Sequence, residues 1–190
     1  MSIDGNQLRV CILDKDRNPQ NKFKDLWEYY FPCLLVYIAA FKGIPPHEYN
    51  DIVSEVLLTV FKKIERYNPK YSLSTWVYTI AKNHFIDLLR RSKNTTTVPI
   101  DVIDEQHVVN HTEQKNVVDI LIEQEAVDTC RQIIKSLKER DKRLLFLKYY
   151  EGLNSQEIAL IEGIPASTVR QRLMVVKSYI KERIGGCYEN

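Results

Sequence analysis

Residues 154–180 carry the pattern that most restricts the fold of this chain, namely two amphipathic helical segments separated by a tight turn. Asn154 is followed three positions later by Glu157, which is the spacing of a capping box at the start of a helix. Gly163 then supplies a turn residue, and apolar residues recur at helical spacing from Val169 onwards. Together these features predict a helix-turn-helix whose second helix can enter a DNA major groove. A plain helical hairpin within a packed core is the alternative.

Helical periodicity extends over most of the remaining chain. Residues 23–41 predict a first helix that ends before a pair of prolines, and residues 47–64 predict a second helix with one apolar face. Ser72 is placed to cap a third helix that runs to about residue 93. Residues 125–184 are again helical in pattern, and no segment alternates in the manner of a strand. The sequence therefore predicts an all-α protein.

Charged residues are unevenly distributed, although the formal net charge is only +2. Residues 62–93 carry a net charge of +6, residues 98–129 a net charge of −7, and residues 130–184 a net charge of +6. Two basic segments flanking an acidic one are expected of a protein that binds a polyanion at two places. The alternative is ordinary solvated helix surface.

The chain is predicted to divide into two small helical domains joined by a flexible acidic linker. The linker contains a proline and a threonine run, has no strong periodicity, and is long for a loop within one domain. The predicted parts are an N-terminal extension of unassigned role at residues 1–20, a first domain at 21–93, the linker at 94–124, a helix-turn-helix domain at 125–185 and a tail at 186–190.

Two blocks of sequence resemble a known family. Residues 51–56, 66–69 and 73–91 resemble region two of the extracytoplasmic-function sigma factors, and residues 137–146 with 154–173 resemble region four. The resemblance implies a subunit that directs core RNA polymerase to promoters and starts transcription. In this family the first domain binds the clamp helices of the largest polymerase subunit and melts the −10 region. The second domain reads the −35 element and contacts the flap of the second-largest subunit.

The resemblance assigns the −10 role to the turn before the third predicted helix and to that helix. Melting needs a place for an unstacked base, which aromatic rings and a basic groove provide. Trp76 falls beside apolar positions on the helical wheel, so packing in the core is an equal alternative for it. The predicted −10 residues are Tyr67, Lys70, Tyr71, Trp76, Tyr78, Lys82, Asn83, Arg90 and Arg91.

Two further surfaces follow from the resemblance. The start of the second helix of the helix-turn-helix is predicted to read the −35 element, and the wet face of the second predicted helix is predicted to bind core polymerase. Met174 and Val175 stand where many relatives carry basic residues, which leaves the promoter preference open. The −35 set is Ser167, Thr168, Arg170, Gln171 and Arg172, and the polymerase-binding set is Asp51, Ser54, Glu55 and Leu58.

Catalytic, metal-binding and membrane roles are not predicted. The sequence has no phosphate-binding glycine loop or nucleophile elbow, so no enzymatic activity and no cofactor are expected. His107 and His111 share a helical spacing but have no third ligand nearby, and the four cysteines are widely separated. No apolar run is long enough for a membrane span, which favours a cytoplasmic protein. The resemblance also allows for an anti-sigma factor as a partner.

Two other functions remain open from the sequence. One is a free-standing regulator whose helix-turn-helix binds operators as a dimer, with the first domain serving dimerisation or sensing. The other is an interaction protein that sequesters polymerase without reading DNA. Operator binding without polymerase would favour the first, and polymerase binding without promoter opening would favour the second.

Overall fold

The structure is a computed structural model that describes residues 5–14, 16–95 and 131–185. Within these ranges all regular structure is helical, in two helical domains, which confirms the predicted fold class. The predicted linker lies outside the described residues apart from its first two positions, which continue a helix. The tail at 186–190 and the histidines at 107 and 111 also lie outside them.

The N-terminal domain contains four α-helices and two short 3-10 turns. Asn18 caps the second helix by accepting a hydrogen bond from the backbone N–H of Gln20 at 2.8 Å, and Pro19 occupies the first turn, where its missing N–H costs nothing. The helices are α1 Gly5–Leu13, α2 Pro19–Ile38, α3 Tyr49–Lys62 and α4 Leu73–Thr95, and the 3-10 turns are Pro46–Glu48 and Ile64–Arg66.

Three of these helices match predicted ones with shifted ends, and one was not predicted. Helix α2 begins four residues before the predicted start because the chain supplies a cap and a proline there. Helix α3 is shorter at both ends because 3-10 turns replace its predicted first and last residues. Helix α1 lies within the N-terminal extension, whose short apolar pattern gave no clear signal.

The N-terminal core is rich in tyrosine. Tyr30, Tyr37, Tyr78 and Phe85 are each at most 1% exposed, and their rings contact one another edge to face or tilted. The tyrosine hydroxyls need partners once they are buried, and the Tyr30 hydroxyl lies 2.9 Å from the Ser74 hydroxyl. The other two hydroxyls find their partners in the C-terminal domain, so this core extends to the domain boundary.

The C-terminal domain contains the predicted helix-turn-helix. Residues 131–136 are helical, and α5 Glu139–Leu145 continues into a π-helical turn, Phe146–Tyr150. The motif itself consists of α6 Ser155–Glu162 and α7 Ala166–Gly185.

The capping box and the turn of the motif are both formed. The Asn154 side chain accepts from the N–H groups of Gln156 and Glu157 at 2.9 and 3.0 Å, and Glu157 accepts in return from the Asn154 N–H at 2.9 Å. Gly163 ends α6 with a φ of 64°, a conformation that favours glycine. The helix-turn-helix prediction is therefore confirmed in its local details.

The two domains pack directly against each other through α4 and α6. The contact also includes the end of α2 and the π-helical turn, where the Phe146 ring lies 5.8 Å from the rings of both Tyr37 and Tyr78. None of the described helices is long and apolar enough to cross a membrane. The sequence predicted two modules, but it did not predict that they would share a core.

Candidate nucleic-acid interface

The turn that precedes α4 is held in a defined shape by its own side chains. Asn68 accepts a hydrogen bond from the Lys70 N–H at 3.0 Å through its side chain, and from the Tyr71 N–H at 3.2 Å through its backbone carbonyl. The Tyr67 hydroxyl donates to the Tyr71 carbonyl at 2.7 Å. These bonds leave Lys70 exposed and Tyr71 43% exposed. A basic and an aromatic side chain therefore stand together at the tip of the turn.

Two of the predicted aromatic residues support this turn from beneath. Tyr67 is only 6% exposed, and its ring centroid lies 5.5 Å from that of Trp76. Trp76 is half-buried, so its ring is partly packed, as the helical wheel allowed, and partly open. In this conformation Tyr67 presents little surface for a stacked base.

Helix α4 carries a stripe of predicted DNA-binding residues at a spacing of seven. Trp76, Asn83 and Arg90 recur at this interval and therefore share one side of the helix. Asn83, Arg90 and Arg91 are exposed. The basic turn thus continues into an open helix side with two arginines towards its end, of which Arg90 lies 3.6 Å from the exposed Asp87.

The C-terminal domain covers two other predicted residues of α4. Tyr78 is fully buried, and its hydroxyl donates to the Glu151 carboxylate at 2.7 Å. The Lys82 ammonium donates to the Ile161 carbonyl at 2.8 Å, at the end of α6. Burial lowers the pKa of Lys82, an effect that the nearby Glu162 opposes. In this arrangement Tyr78 is closed to DNA, and the half-buried Lys82 has its ammonium engaged with α6.

A buried ion pair lies at the centre of the domain contact. Arg143 donates to both carboxylate oxygens of Glu162 at 3.0 and 3.1 Å, and the two side chains are 11% and 1% exposed. The same guanidinium donates to the Ala40 carbonyl at 3.0 Å and lies 4.4 Å from the centroid of the Phe41 ring. The Tyr37 hydroxyl donates to Glu162 at 3.2 Å. The pair therefore joins the C-terminal domain to the end of α2.

A second acid at the contact, Glu151, has no cation beside it in the part of the chain that the structure describes. One carboxylate oxygen accepts from Tyr78, and the other is buried without a hydrogen-bond partner among the described residues. The groups around it are the hydroxyls of tyrosines and Ser74 and the Cys33 thiol. Burial raises the pKa of Glu151, although the hydrogen bond from Tyr78 opposes the rise. Closure of the two domains thus disfavours the charged form of this acid.

Domain closure is therefore expected to depend on pH through Glu151. A raised pKa in the closed state means that this group stabilises closure fully below the ordinary carboxyl pKa of 4.5, and the contribution is lost as pH rises through the raised value. The neighbouring Cys33 has its pKa raised by burial to about 11, and burial also raises the pKa values of Tyr30 and Tyr78. These groups stay neutral while Glu151 ionises.

Small-angle scattering of the free chain between pH 5 and pH 8 measures this effect. We expect the wild type to become more compact as pH falls, and Glu151→Gln to be compact and nearly independent of pH over this range. Tyr150→Phe, which removes the hydroxyl that lies 3.8 Å from the Cys33 sulfur and leaves Glu151 in place, serves as the control and should keep the wild-type dependence. An unchanged pH profile in Glu151→Gln would show that another group controls closure.

The predicted −35 residues lie near the start of α7. Ser167, Arg170 and Gln171 are exposed, and Thr168 is half-buried. Arg172 points back into the domain, where its guanidinium donates to Asp141 at 2.6 Å. The exposed residues can reach base edges, whereas Arg172 is engaged with the protein. Further along the helix, Met174 and Val175 are 64% and 59% exposed.

The predicted polymerase-binding residues share the outer side of α3. Leu58 is 46% exposed, as the helical wheel predicts, and Asp51 and Glu55 are exposed. Ser54 is half-buried and donates to the Asn50 carbonyl at 2.6 Å. One Glu55 carboxylate oxygen lies 3.6 Å from Nε2 of His84 on α4, and that nitrogen is buried without a hydrogen-bond partner among the described residues. An exposed leucine among acidic and polar residues is a suitable surface for a partner helix.

Several residues with a structural role at these surfaces were not found from the sequence. Arg143, Glu151 and Glu162 meet partners far along the chain, and no local pattern indicates such contacts. Arg9 lies in the unassigned N-terminal extension and donates to the Pro69 carbonyl in the turn before α4. Among the described residues, no group of histidine, cysteine and acidic side chains could hold a metal ion.

Two family models match separate parts of the chain. Residues 28–95 match the family model for Sigma-70 region 2, and residues 130–175 match the model for Sigma-70, region 4. The RNA polymerase sigma factor SigZ of Bacillus subtilis is 29% identical over 170 residues, which cover 86% of this chain and 88% of SigZ. The ECF RNA polymerase sigma factor SigW of the same organism is 29% identical over 172 residues, covering 87% and 90%.

Two solved structures have a similar fold. The sigma factor RpoE in complex with the anti-sigma factor NepR from Bartonella quintana superposes with a TM-score of 0.60 at 17% identity, covering 90% of this chain and 99% of that chain. CnrH in complex with the cytosolic domain of CnrY superposes with a TM-score of 0.56 at 15% identity, covering 96% and 97%.

The chain is therefore a sigma factor of the sigma-70 type, with regions two and four, that acts in transcription initiation. Within that class it belongs to the extracytoplasmic-function sigma factors. Its partners are core RNA polymerase and promoter DNA. This confirms the family and the function that the sequence resemblance predicted.

Proposed function

We propose that the N-terminal domain opens the −10 region with the turn before α4 and the exposed side of that helix. The observation that carries this assignment is the exposed pair Lys70 and Tyr71, held by the Asn68 turn and continued by Asn83 on α4. Tyr71 offers a ring for an unstacked base, and the basic side chains follow the separated strand. Tyr67 and Trp76 support the turn from below, while Arg90 and Arg91 extend the basic surface.

Region four must move off α4 before all of the predicted −10 residues can act. Tyr78 and Lys82 are covered by the C-terminal domain in this structure, and the Lys82 ammonium is bound to a carbonyl of α6. Lys82 gains access to DNA once the domains separate. Tyr78 lies within the core and is better placed to fix α4 than to touch a base.

The C-terminal domain is proposed to read the −35 element through Ser167, Thr168, Arg170 and Gln171. These residues occupy the first turns of the second helix of the motif, from which side chains reach the major groove. Arg172 has a different role in this proposal, because its bond to Asp141 anchors α7 on α5. The exposed Met174 and Val175 offer apolar contact to thymine methyl groups instead of contact to phosphates.

The division of the chain, the location and the chemistry follow from the same proposal. The first domain spans residues 21–93 and the second spans 125–185, with the segment between them as a connector, and limited proteolysis should cut that connector first.

The protein acts in the cytoplasm, and fractionation of cells would test this. It performs no catalysis of its own, because polymerase supplies the chemistry; any nucleotide hydrolysis by the pure chain would contradict this.

An anti-sigma factor is proposed as a further partner. RpoE and CnrH, which share the fold, were each solved in complex with a second protein, and NepR is described as an anti-sigma factor. A protein of that class should block association of the chain with core polymerase in a competition assay. A candidate that binds the chain but leaves polymerase association intact would count against this role.

The polymerase-binding face is tested by placing a charge at its centre. Leu58→Asp should weaken association with core polymerase about tenfold or more, because an exposed leucine that docks on a partner helix becomes a buried charge. Glu55→Arg should act in the same direction. Fluorescence anisotropy with labelled chain measures the affinity, and circular dichroism should be unchanged.

Val10→Asp is a matched control, because Val10 is 69% exposed on α1 and is not part of the proposed face. We expect its polymerase affinity to equal that of the wild type. Wild-type affinity in both the Leu58 and Glu55 variants would overturn the assignment of this face.

A further inference from the structure

The N-terminal helix α1 is firmly seated on region two. Leu8 is fully buried and Ile12 is 5% exposed, and the helix contacts both α2 and α4. Val10 and Leu13 face outward, at 69% and 42% exposure. The helix therefore has one buried side and one exposed side. Packing of the buried side fixes the position of the helix, and with it the position of Arg9.

Arg9 extends from this helix to the turn before α4. Its guanidinium donates to the Pro69 carbonyl at 2.6 Å, across sixty positions of sequence. Its Nε is buried and has no hydrogen-bond partner among the described residues. Burial raises the pKa of Tyr67, and the neighbouring Arg9 opposes that rise, so the guanidinium lies close to this hydroxyl as well.

The hydrogen bond from Arg9 holds the Pro69 carbonyl, which the hydrogen bonds within the turn do not hold. The Asn68 side chain fixes the Lys70 N–H, and the Tyr67 hydroxyl fixes the Tyr71 carbonyl. The Pro69 carbonyl lies between these bonds at the tip. A tie to a buried helix stops this carbonyl from rotating, and a rotation there would move both exposed side chains.

We propose that α1 is a positioning element for the −10 turn and that Arg9 is its positioning residue. This inference rests on the proposed melting function of the turn. The turn is then already ordered before DNA binds. Because no further conformational entropy is lost on binding, capture of the unstacked base is favoured. Arg9 itself need not contact DNA for this effect.

The test measures base capture separately from polymerase binding. We expect Arg9→Ala to slow open-complex formation about tenfold, as for loss of a hydrogen bond from a charged donor, with unchanged affinity for core polymerase. A 2-aminopurine at the captured −10 position reports flipping by its fluorescence. The preference of Arg9→Ala for the correct base at that position should also fall, whereas a defect in folding alone would leave that preference intact.

Two matched variants complete the design. Arg9→Lys keeps one donor and should recover part of the rate, and Val10→Ala, on the exposed side of the same helix, should behave as wild type. Normal melting and base preference in Arg9→Ala, beside impaired melting in Tyr71→Ala, would overturn this inference alone. Normal melting in Tyr71→Ala as well would overturn the proposed role of the turn and this inference with it.

Discussion

Replacing Arg143 by alanine is expected to detach the C-terminal domain from the N-terminal domain. The change leaves Glu162 buried without its cation and removes the hydrogen bond to the Ala40 carbonyl. Loss of one partner of a buried ion pair costs about 3–5 kcal/mol, because a charge is left without compensation. Separation of the domains returns Glu162 to water and relieves that cost. The free chain should therefore become extended, with a larger radius of gyration in small-angle scattering.

Arg140→Ala is the matched control, since Arg140 is exposed on the same helix and should leave the chain compact. Circular dichroism must show that Arg143→Ala keeps its helices, because both members of the pair belong to the C-terminal domain. Tyr37→Phe tests the same contact from the N-terminal domain, since it removes the hydroxyl that donates to Glu162. It should loosen closure more weakly.

An extended Arg143→Ala chain should also bind promoter DNA with core polymerase at lower concentrations than wild type. The reason is that the Lys82 side of α4 no longer has to be uncovered. A compact Arg143→Ala chain with all its helices intact would show that this ion pair does not hold the domains together.

Variants of the proposed melting surface are expected to impair opening of the −10 region without impairing recognition of the upstream duplex. Alanine at Lys82 and Asn83, combined with Tyr71→Ala, should slow open-complex formation about ten- to hundredfold, since stacking of one base is worth about 1–3 kcal/mol. Binding to the upstream duplex should largely survive. Permanganate footprinting measures the melted bases. A pre-melted promoter bubble should restore activity, because the strands of the −10 region are already separated in it.

Alanine at Arg170 or Gln171 should act in the opposite way. A lost base-edge contact costs about 1–3 kcal/mol and relaxes the preference at one position of the −35 element. The pre-melted bubble should not rescue these variants. Lys24→Ala, an exposed change on α2, controls for the loss of a positive charge. Normal melting in the triple variant, or equal rescue of both groups, would contradict the division of roles.

The sequence predicted most of the local structure because local signals define it. The capping box at Asn154, the turn at Gly163 and the apolar side of α3 each depend on residues within a few positions of one another. The family resemblance added the order of the two regions. For the same reason the ends of α2 and α3 were less accurate, since caps and 3-10 turns shift them by a few residues.

The arrangement of the two domains could not be predicted in this way. Arg143 meets Ala40, and Lys82 meets Ile161, across many positions of sequence, and both bonds involve backbone carbonyls that carry no sequence signal. Tyr78 was assigned to DNA because aromatic residues near a basic turn are typical of a melting surface. In the structure its ring completes a core shared by both domains, which a single helical wheel cannot show.

This chain is expected to give core RNA polymerase the ability to open a promoter. The most direct measurement is a permanganate footprint of the DNA upstream of the chain's own gene, with purified core polymerase in the presence and absence of the purified chain. We predict reactive thymines in the −10 region only when both are present, followed by a transcript of defined start. Binding of the chain to that DNA as a dimer without polymerase, or a polymerase complex without reactive thymines, would show that the chain does not open promoters with core polymerase.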